Sequence, residues 1–587
     1  MRLCGVAGIR TGLMAPLASP LCDACRNLYR SSRGTAHCVA AHAESATLPN
    51  EPHIMRSPRP TRAALTVCSA LAAFAAASSP LAAQTFRSAD PVIRKMWQVG
   101  MTESKLEPMA QVLVDSIGPR LSGSPGFTSA VTWLQNQYAA LGIPARKEQY
   151  GTWRGWQQGA VHMQLTAPRV QNLDVEVLAW SPPTPGGKAV DAEVVVVPAL
   201  ADAAAATAWL KAVKGKFVLT SAPELMCRAP QELEKYARAS TIAQLNTKRA
   251  DARRVATERF NMLAPAGATF AQRTNAIYAR LDSAGVAGIG TLNWSGGWGV
   301  NKVFGAVSEK VPSVDVGCED YGLLFRLASN NQGARVRFTV ESQSTAAEVP
   351  MFNVVAEIKG TELPNEYVVL SAHLDSWHGA TGATDNGTGT LTMLEAMRIL
   401  KAAYPNPRRT IIAGHWGGEE QGTIGSKAFA EDHKDVMDGL QVAFNQDNGT
   451  WRVEILEGQG FLKASHNLAA WVAQLPAEMT DSVKLQVPGP QANSGSDHTS
   501  FLCRGAPAFR LQSSYSEYRQ YTWHTNRDTF DKIVFDDLKN NATMAAMLAY
   551  AASEDRERTA RDQALLTGPT GATRAWPTCG TAKRSYK

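Results

Sequence analysis

Residues 367–389 read YVVLSAHLDSWHGATGATDNGTG. A largely apolar run of strand length, Tyr367 to Ala372, ends on His373. A polar, Gly-rich loop follows, and helical periodicity begins at Asp385 in DNGTGTLTMLEAM. A buried strand, a polar loop and a helix make one unit of a parallel sheet covered on both faces. Ligands bind such sheets beyond the carboxyl ends of the strands, which places His373 and Asp385 for chemistry. At a helix start, Asp385 is also suited to cap free N–H groups.

The same texture extends outward over residues 346–555. Strand candidates are NVVAEIKG, RTIIAGHW, LQVAFNQD and APAFRLQ, and helix candidates include TLTMLEAMRIL and DDLKNNATMAAMLAYAA. The fold class is therefore α/β, with a mixed, mostly parallel sheet flanked by helices. Glu419 and Glu420 follow RTIIAGHW after a Gly-Gly turn, Asp447 closes LQVAFNQD, and His524 comes after the APAFRLQ run and a loop.

Each residue alone has an ordinary explanation. A His after a strand is commonly a hydrogen-bonded structural residue, adjacent glutamates form a solvated pair, and Asp before Asn-Gly marks a turn. Five such residues at successive strand ends are specific. His373, Asp385, Glu420, Asp447 and His524 supply two imidazoles and three carboxylates, which suits a pair of zinc ions bridged by Asp385, with manganese or cobalt allowed by geometry. Water held between the metals would have its pKa lowered to about 7. Glu419 would take its proton and pass it to a leaving amine. Asp375, two residues past His373, would accept the other ring N–H and fix its tautomer. His378, His415, His433 and His466 are read as structural or surface residues.

The remainder divides by composition. Residues 1–83 form a leader in which Met55 to Ala83 has a basic start, an Ala-rich run and Leu-Ala-Ala at its end, the pattern of a secretory signal peptide. Residues 1–54 fit a start codon placed too early. Residues 84–157 begin the catalytic part, with a helix expected from about 127 to 141. Residues 158–345 show short strands (VHMQL, VEVLAW, AEVVVV, KFVLT, AGIGTL, VPSVDV) and helical stretches near 228–260 and 270–284. Their only histidine is His162, so they read as an inserted β-rich domain without a catalytic role. Residues 556–587 read as a loose polar tail.

The net charge of +7 is misleading, because the leader holds eight of the 59 basic and three of the 52 acidic residues, leaving 51 and 49. Nucleic acid is not the implied partner. Four cysteines lie beyond residue 83 (Cys227, Cys318, Cys503 and Cys579), enough for one or two bridges of undetermined pairing.

SAHLDSWHGATGATDNGTG, GGEEQGTIGS, NQDNGT, SGSDHTSF and WHTNRDTFDKI together resemble the M28 family of zinc exopeptidases. HLDSW followed by EEQG is nearest to its plasma glutamate carboxypeptidase (carboxypeptidase Q) branch, and IGPRLSGSPG at 117–126 resembles the family's amino-terminal segment. The resemblance implies a phosphorylase/hydrolase-like α/β fold with an inserted protease-associated (PA) domain at 158–345. It implies two zinc ions per chain, with His373, Asp385, Glu420, Asp447 and His524 as ligands, Asp385 bridging, Glu419 as the general base and Asp375 as a supporting acid in catalysis. Asp497 and His498 match a pocket-wall motif. Asn386 departs from the branch, which tends to carry a second Asp there.

The expected protein is a secreted or periplasmic exopeptidase acting on short peptides, with aminopeptidase or dipeptidase action favoured slightly over carboxypeptidase action. It would keep no stable membrane anchor after signal cleavage, and a homodimer is compatible with the family. Two other readings use related folds: a glutaminyl cyclase-like transferase with one zinc, and a receptor-like binding protein without catalysis.

Overall fold

The computed structural model describes residues 88–587 apart from 492–494, 516, 565–570 and 574. The expected leader, and the signal peptide read within it, lie outside the described residues.

Fourteen strands form one sheet. In chain order they are β1 (Ala145–Ala167), β2 (Gln171–Asn172), β3 (Val175–Val177), β4 (Val190–Val196), β5 (Phe217–Leu219), β6 (Gly288–Thr291) and β7 (Ser313–Val316). There follow β8 (Arg335–Ile358), β9 (Leu363–His373), β10 (Arg409–Trp416), β11 (Leu440–Asn445), β12 (Val453–Glu457), β13 (Lys484–Gln486) and β14 (Ala508–Ser513). The main order is β13-β12-β14-β11-β9-β10-β8-β4-β5-β6-β7-β3.

The centre is parallel: β9 pairs with β10 and β11, and β11 with β14, with Trp416 opposite His373 and Asn445 opposite Ser371. These strands are the apolar runs of the sequence, and every residue of β10 and β11 is buried. Such strands need cover on both faces. The helices Thr388–Ala403 and Phe535–Glu554 give it on one side and pack on each other, and Leu394, Met397, Met544 and Leu548 are among their buried residues. Antiparallel β8 and β12 bound the parallel core, so the sheet is mixed.

The block at 158–345 is joined to this sheet by structure rather than by linkers. β1 and β8 are 23 and 24 residues long and pair from Ala145–Ala356 to Ala167–Arg335. The expected boundaries at 157/158 and 345/346 fall inside these two strands. Short register shifts, such as that between Arg154 and Trp156, bend the ribbon without ending it.

The loose tail expected beyond residue 555 is corrected by its described residues. Cys579 is bonded to Cys503, the Trp576 indole donates to the Leu502 carbonyl at 2.7 Å, and Arg584 pairs with Glu431 and Asp432 at 3.1 and 2.8 Å. These contacts have no periodicity, and polar composition alone concealed them. Cys227 pairs with Cys318, so all four cysteines beyond residue 83 are used. Among the described residues no helix is long and apolar enough to cross a membrane.

Candidate active site

The parallel core delivers its side chains to one end. His373 closes β9, Glu419 and Glu420 follow β10 through Gly417 and Gly418, and Asp447 lies two residues past β11. His524 arrives on the loop after β14, and Asp385 precedes the Thr388–Ala403 helix.

Asp385 stands between the two histidines. Its Oδ1 lies 3.5 Å from His373 Nε2 and its Oδ2 lies 3.3 Å from His524 Nε2. Asp447 Oδ1 is 3.4 Å from His373 Nε2, and Glu420 Oε2 is 2.9 Å from His524 Nε2. Two triads result, His373–Asp385–Asp447 and His524–Asp385–Glu420, sharing one carboxylate. Donors on a tetrahedral zinc at about 2.0–2.1 Å stand roughly 3.3–3.4 Å apart, so the spacing suits a metal. His373 Nε2, Asp385 Oδ2 and Glu420 Oε1 are buried without a hydrogen-bond partner, which a cation would satisfy. Burial drives the Glu419 carboxyl well above its usual range, and burial with neighbouring Asp385 does the same for Glu420. So many buried acids favour a divalent cation among them.

Glu419 Oε2 is 4.0 Å from His373 Nε2, beside both triads but a member of neither. All seven residues expected from the sequence therefore converge. Asp375 differs in detail. The His373 ring nitrogen Nδ1 meets the Asp375 backbone carbonyl at 3.0 Å, while the carboxylate is 3.7 Å away. That carboxylate instead accepts the backbone N–H groups of Glu419 and Glu420 at 3.1 and 3.2 Å. Asp375 thus orients the ring through its main chain and the two glutamates through its side chain.

Asp385 does not cap the helix; Asn386 does. Its Oδ1 accepts the Gly389 N–H at 3.0 Å, and its amide donates to the Gln446 carbonyl at 2.9 Å. An Asp at 386 would lack that donor. Gly389 is required, since a Cβ there would stand 2.3 Å from Asn386 Oδ1 and 2.5 Å from the Gln446 carbonyl.

Two positioning residues were missed, although both lie inside motifs quoted from the sequence. Asp528 accepts the Thr384 N–H and hydroxyl on Oδ1 and the Asp385 N–H on Oδ2, at 2.7–2.9 Å. Burial raises its pKa to about 7. Arg120, fully buried, donates to the carbonyls of Leu374, Thr381 and Gly382 at 2.7 Å and to that of Gly118 at 3.1 Å. Burial lowers its pKa to about 10, against the pull of Asp528, Asp375 and Asp385. Asp528 is an acid four residues past a candidate ligand, and Arg120 is a lone cation in a turn-rich segment. Neither pattern distinguishes such a role.

The block read as an inserted domain without a catalytic role contacts the loop that carries His524. Val303 N–H donates to the His524 carbonyl at 2.8 Å, and the Phe304 ring lies edge-on to the His524 ring at 5.5 Å. Asn301 and Asn526 exchange bonds at 3.0 Å, and Arg527 Nε donates to the Gly299 carbonyl at 2.9 Å. His524 has a φ of 60°, a costly conformation for a non-glycine residue, and this clamp holds it. Trp523 stacks on its ring at 3.8 Å, with Lys302 Nζ 4.1 Å above the indole. The other histidines are structural where the bonds show it. His415 meets the Tyr138 hydroxyl at 2.6 Å and His378 the Val177 carbonyl at 2.8 Å, and burial lowers their pKa values to about 3 and 4. Asp497 and His498 are fully buried.

The chain is similar to known peptidases. The model of peptidase family M28 matches residues 353–549. Carboxypeptidase Q of Bos taurus is 25% identical over 466 residues, covering 78% of this chain and 87% of the relative. The crystal structure of a peptidase M28 precursor from Shewanella amazonensis SB2B matches with a TM-score of 0.58 at 22% identity, over 80% of this chain and 97% of that one. BSAP, a zinc aminopeptidase from Bacillus subtilis, matches with a TM-score of 0.50 at 18% identity, over 78% and 96%. Both structural likenesses extend beyond the matched segment, so the fold is shared across most of the chain. Both triads and Glu419 lie within residues 353–549, and the chain carries a peptidase family M28 domain.

Proposed function

We propose that this M28 metallopeptidase is a secreted or periplasmic exopeptidase that hydrolyses short peptides with two zinc ions. The observation that carries the reading is Asp385, whose two oxygens face different histidines at 3.5 and 3.3 Å. His373, Asp385 and Asp447 would hold one zinc, and His524, Asp385 and Glu420 the other. Bound there, zinc supplies Lewis acidity and makes water a nucleophile near neutral pH.

The chain's own groups do the rest. Glu419, held through its backbone by Asp375, takes a proton from the attacking water as the new C–O bond forms. When the C–N bond breaks, Glu419 returns that proton to the leaving amine. Asp528 and Arg120 keep Asp385 and the Leu374–Gly382 loop in place. The block at 158–345, which we read as PA-like, positions His524. Two complete disulfides support an oxidising compartment. A one-zinc transferase would need only one triad, and a binding protein would need neither.

The test combines metal counting with Glu419→Gln. The expected result is two zinc ions per chain in both proteins and a loss of about 10²–10⁴-fold in kcat for the variant, the span of general-base catalysis. Full turnover by the variant would remove Glu419 from the mechanism, and a single zinc per chain would favour the transferase.

A further inference from the structure

A cavity of about 320 Å³ opens beside the metal-type cluster, with Glu419 in its lining. Three separate pieces of chain build the rest. Thr423 and Lys427 come from the turn and helix after Glu419, Thr499 and Cys503 from a short helix, and Pro577 and Thr578 from the C-terminal segment. That segment is fixed on both sides of the cavity wall, by the Trp576 bond to Leu502 and by the Cys503–Cys579 bridge. Lys427 Nζ donates to the Gly422 carbonyl at 2.8 Å, which uses one of its three N–H groups. Among the described residues no carboxylate lies within ion-pair distance of it. An ammonium with donors to spare, in a cavity shared with Glu419, matches a free carboxylate.

We propose that this cavity receives the leaving residue of the substrate, that Lys427 binds its terminal carboxylate, and that Pro577 and Thr578 form the wall limiting its size. The inference rests on the exopeptidase reading. If Glu419 returns its proton to the leaving amine, the leaving residue sits within hydrogen-bond reach of Glu419, and this is the cavity found there. Its volume is at the lower end of the roughly 300–1,000 Å³ of small-molecule pockets. One amino acid fits better than an extended chain, so the substrate class is a dipeptide, or a short peptide losing a single residue from its carboxyl end.

The experiment uses the full zinc-loaded chain on a dipeptide and on the same dipeptide amidated at its carboxyl end. Wild type is expected to prefer the free acid. Lys427→Met should lower the ratio of kcat/KM for acid over amide by about tenfold to a hundredfold, mainly through KM, the range for a hydrogen bond to a charged group. Lys427→Arg should keep part of the preference. Thr578→Trp, which narrows the wall, should penalise a tryptophan leaving residue more than a glycine one. An unchanged acid-to-amide ratio in a normally melting Lys427→Met protein would overturn the proposal, as would equal losses for both leaving residues with Thr578→Trp. Wild type that cleaves acid and amide alike would overturn this proposal alone. Wild type that cleaves no peptide would overturn the exopeptidase reading and this inference with it.

Discussion

The Asp528 carboxylate holds Asp385 by its main chain: Oδ2 accepts the Asp385 N–H at 2.9 Å while Oδ1 takes the N–H and hydroxyl of Thr384. An asparagine there presents one acceptor and turns an NH₂ group toward an N–H. Asp528→Asn should therefore let Asp385 rotate and weaken zinc binding by about 10–100-fold, the usual effect of removing a ligand's supporting partner. Competition with a chromogenic chelator measures this directly. Unaltered affinity would confine Asp528 to a role in folding.

Arg120 satisfies four backbone carbonyls in the interior. Arg120→Met would strand them and leave nearby acids without a cation. The expected destabilisation is about 3–5 kcal/mol, the range for breaking a buried charged network. Arg120→Lys, with three donors at a single point, should fall between wild type and Met. Denaturant midpoints at constant slope test this order.

Chelation should lower thermal stability, because cations held by the folded cluster would stabilise it with the logarithm of their free concentration. At zinc a thousandfold above its dissociation constant the gain is about 4 kcal/mol. Melting temperatures recorded across a zinc titration after chelation check it. A melting temperature that ignores zinc would mean that the folded cluster does not bind the ion.

His433 Nε2 meets Glu148 Oε2 at 3.0 Å, tying the helical segment after β10 to β1. The hydrogen bond to Glu148 raises the His433 pKa above 6.5. For Glu148, burial pushes upward, but His433 and Arg146 together bring it below 4.5. The raised histidine contributes stability below pH 6.5 that is lost as pH rises through its folded pKa. The depressed glutamate contributes above pH 4.5 and loses that contribution as pH falls through its own. The pair should stabilise most between the two limits, and modestly, because solvent screens it. His433→Asn should flatten both limbs of the stability-versus-pH curve, as followed by urea denaturation.

The parallel core and the metal-type residues were legible because both rest on local pattern. Apolar runs of strand length end on His373, Trp416 and Asn445, and the polar residues that follow have no other reason to recur there. What was not legible depends on partners distant in sequence. Arg120 and Asp528 bind backbone atoms, and any residue type supplies those. Asp375 was placed beside the correct histidine, but its carboxylate turned to the main chain of Glu419 and Glu420. The clamp of Gly299 to Phe304 on the His524 loop carries no ligand-type side chain. The packed tail is held by a disulfide whose pairing only the fold decides.

β1 and β8 run without interruption from the sheet beneath the cluster into the block that grips His524. A domain inserted through two flexible linkers lends itself to grafting: cut at both joints, it leaves its host whole. Here cuts at 158 and 345 would sever a shared ribbon and release the loop that carries His524. Evolution can reshape this block by changing the far ends of its strands, but exchanging it as a cassette would disable the peptidase.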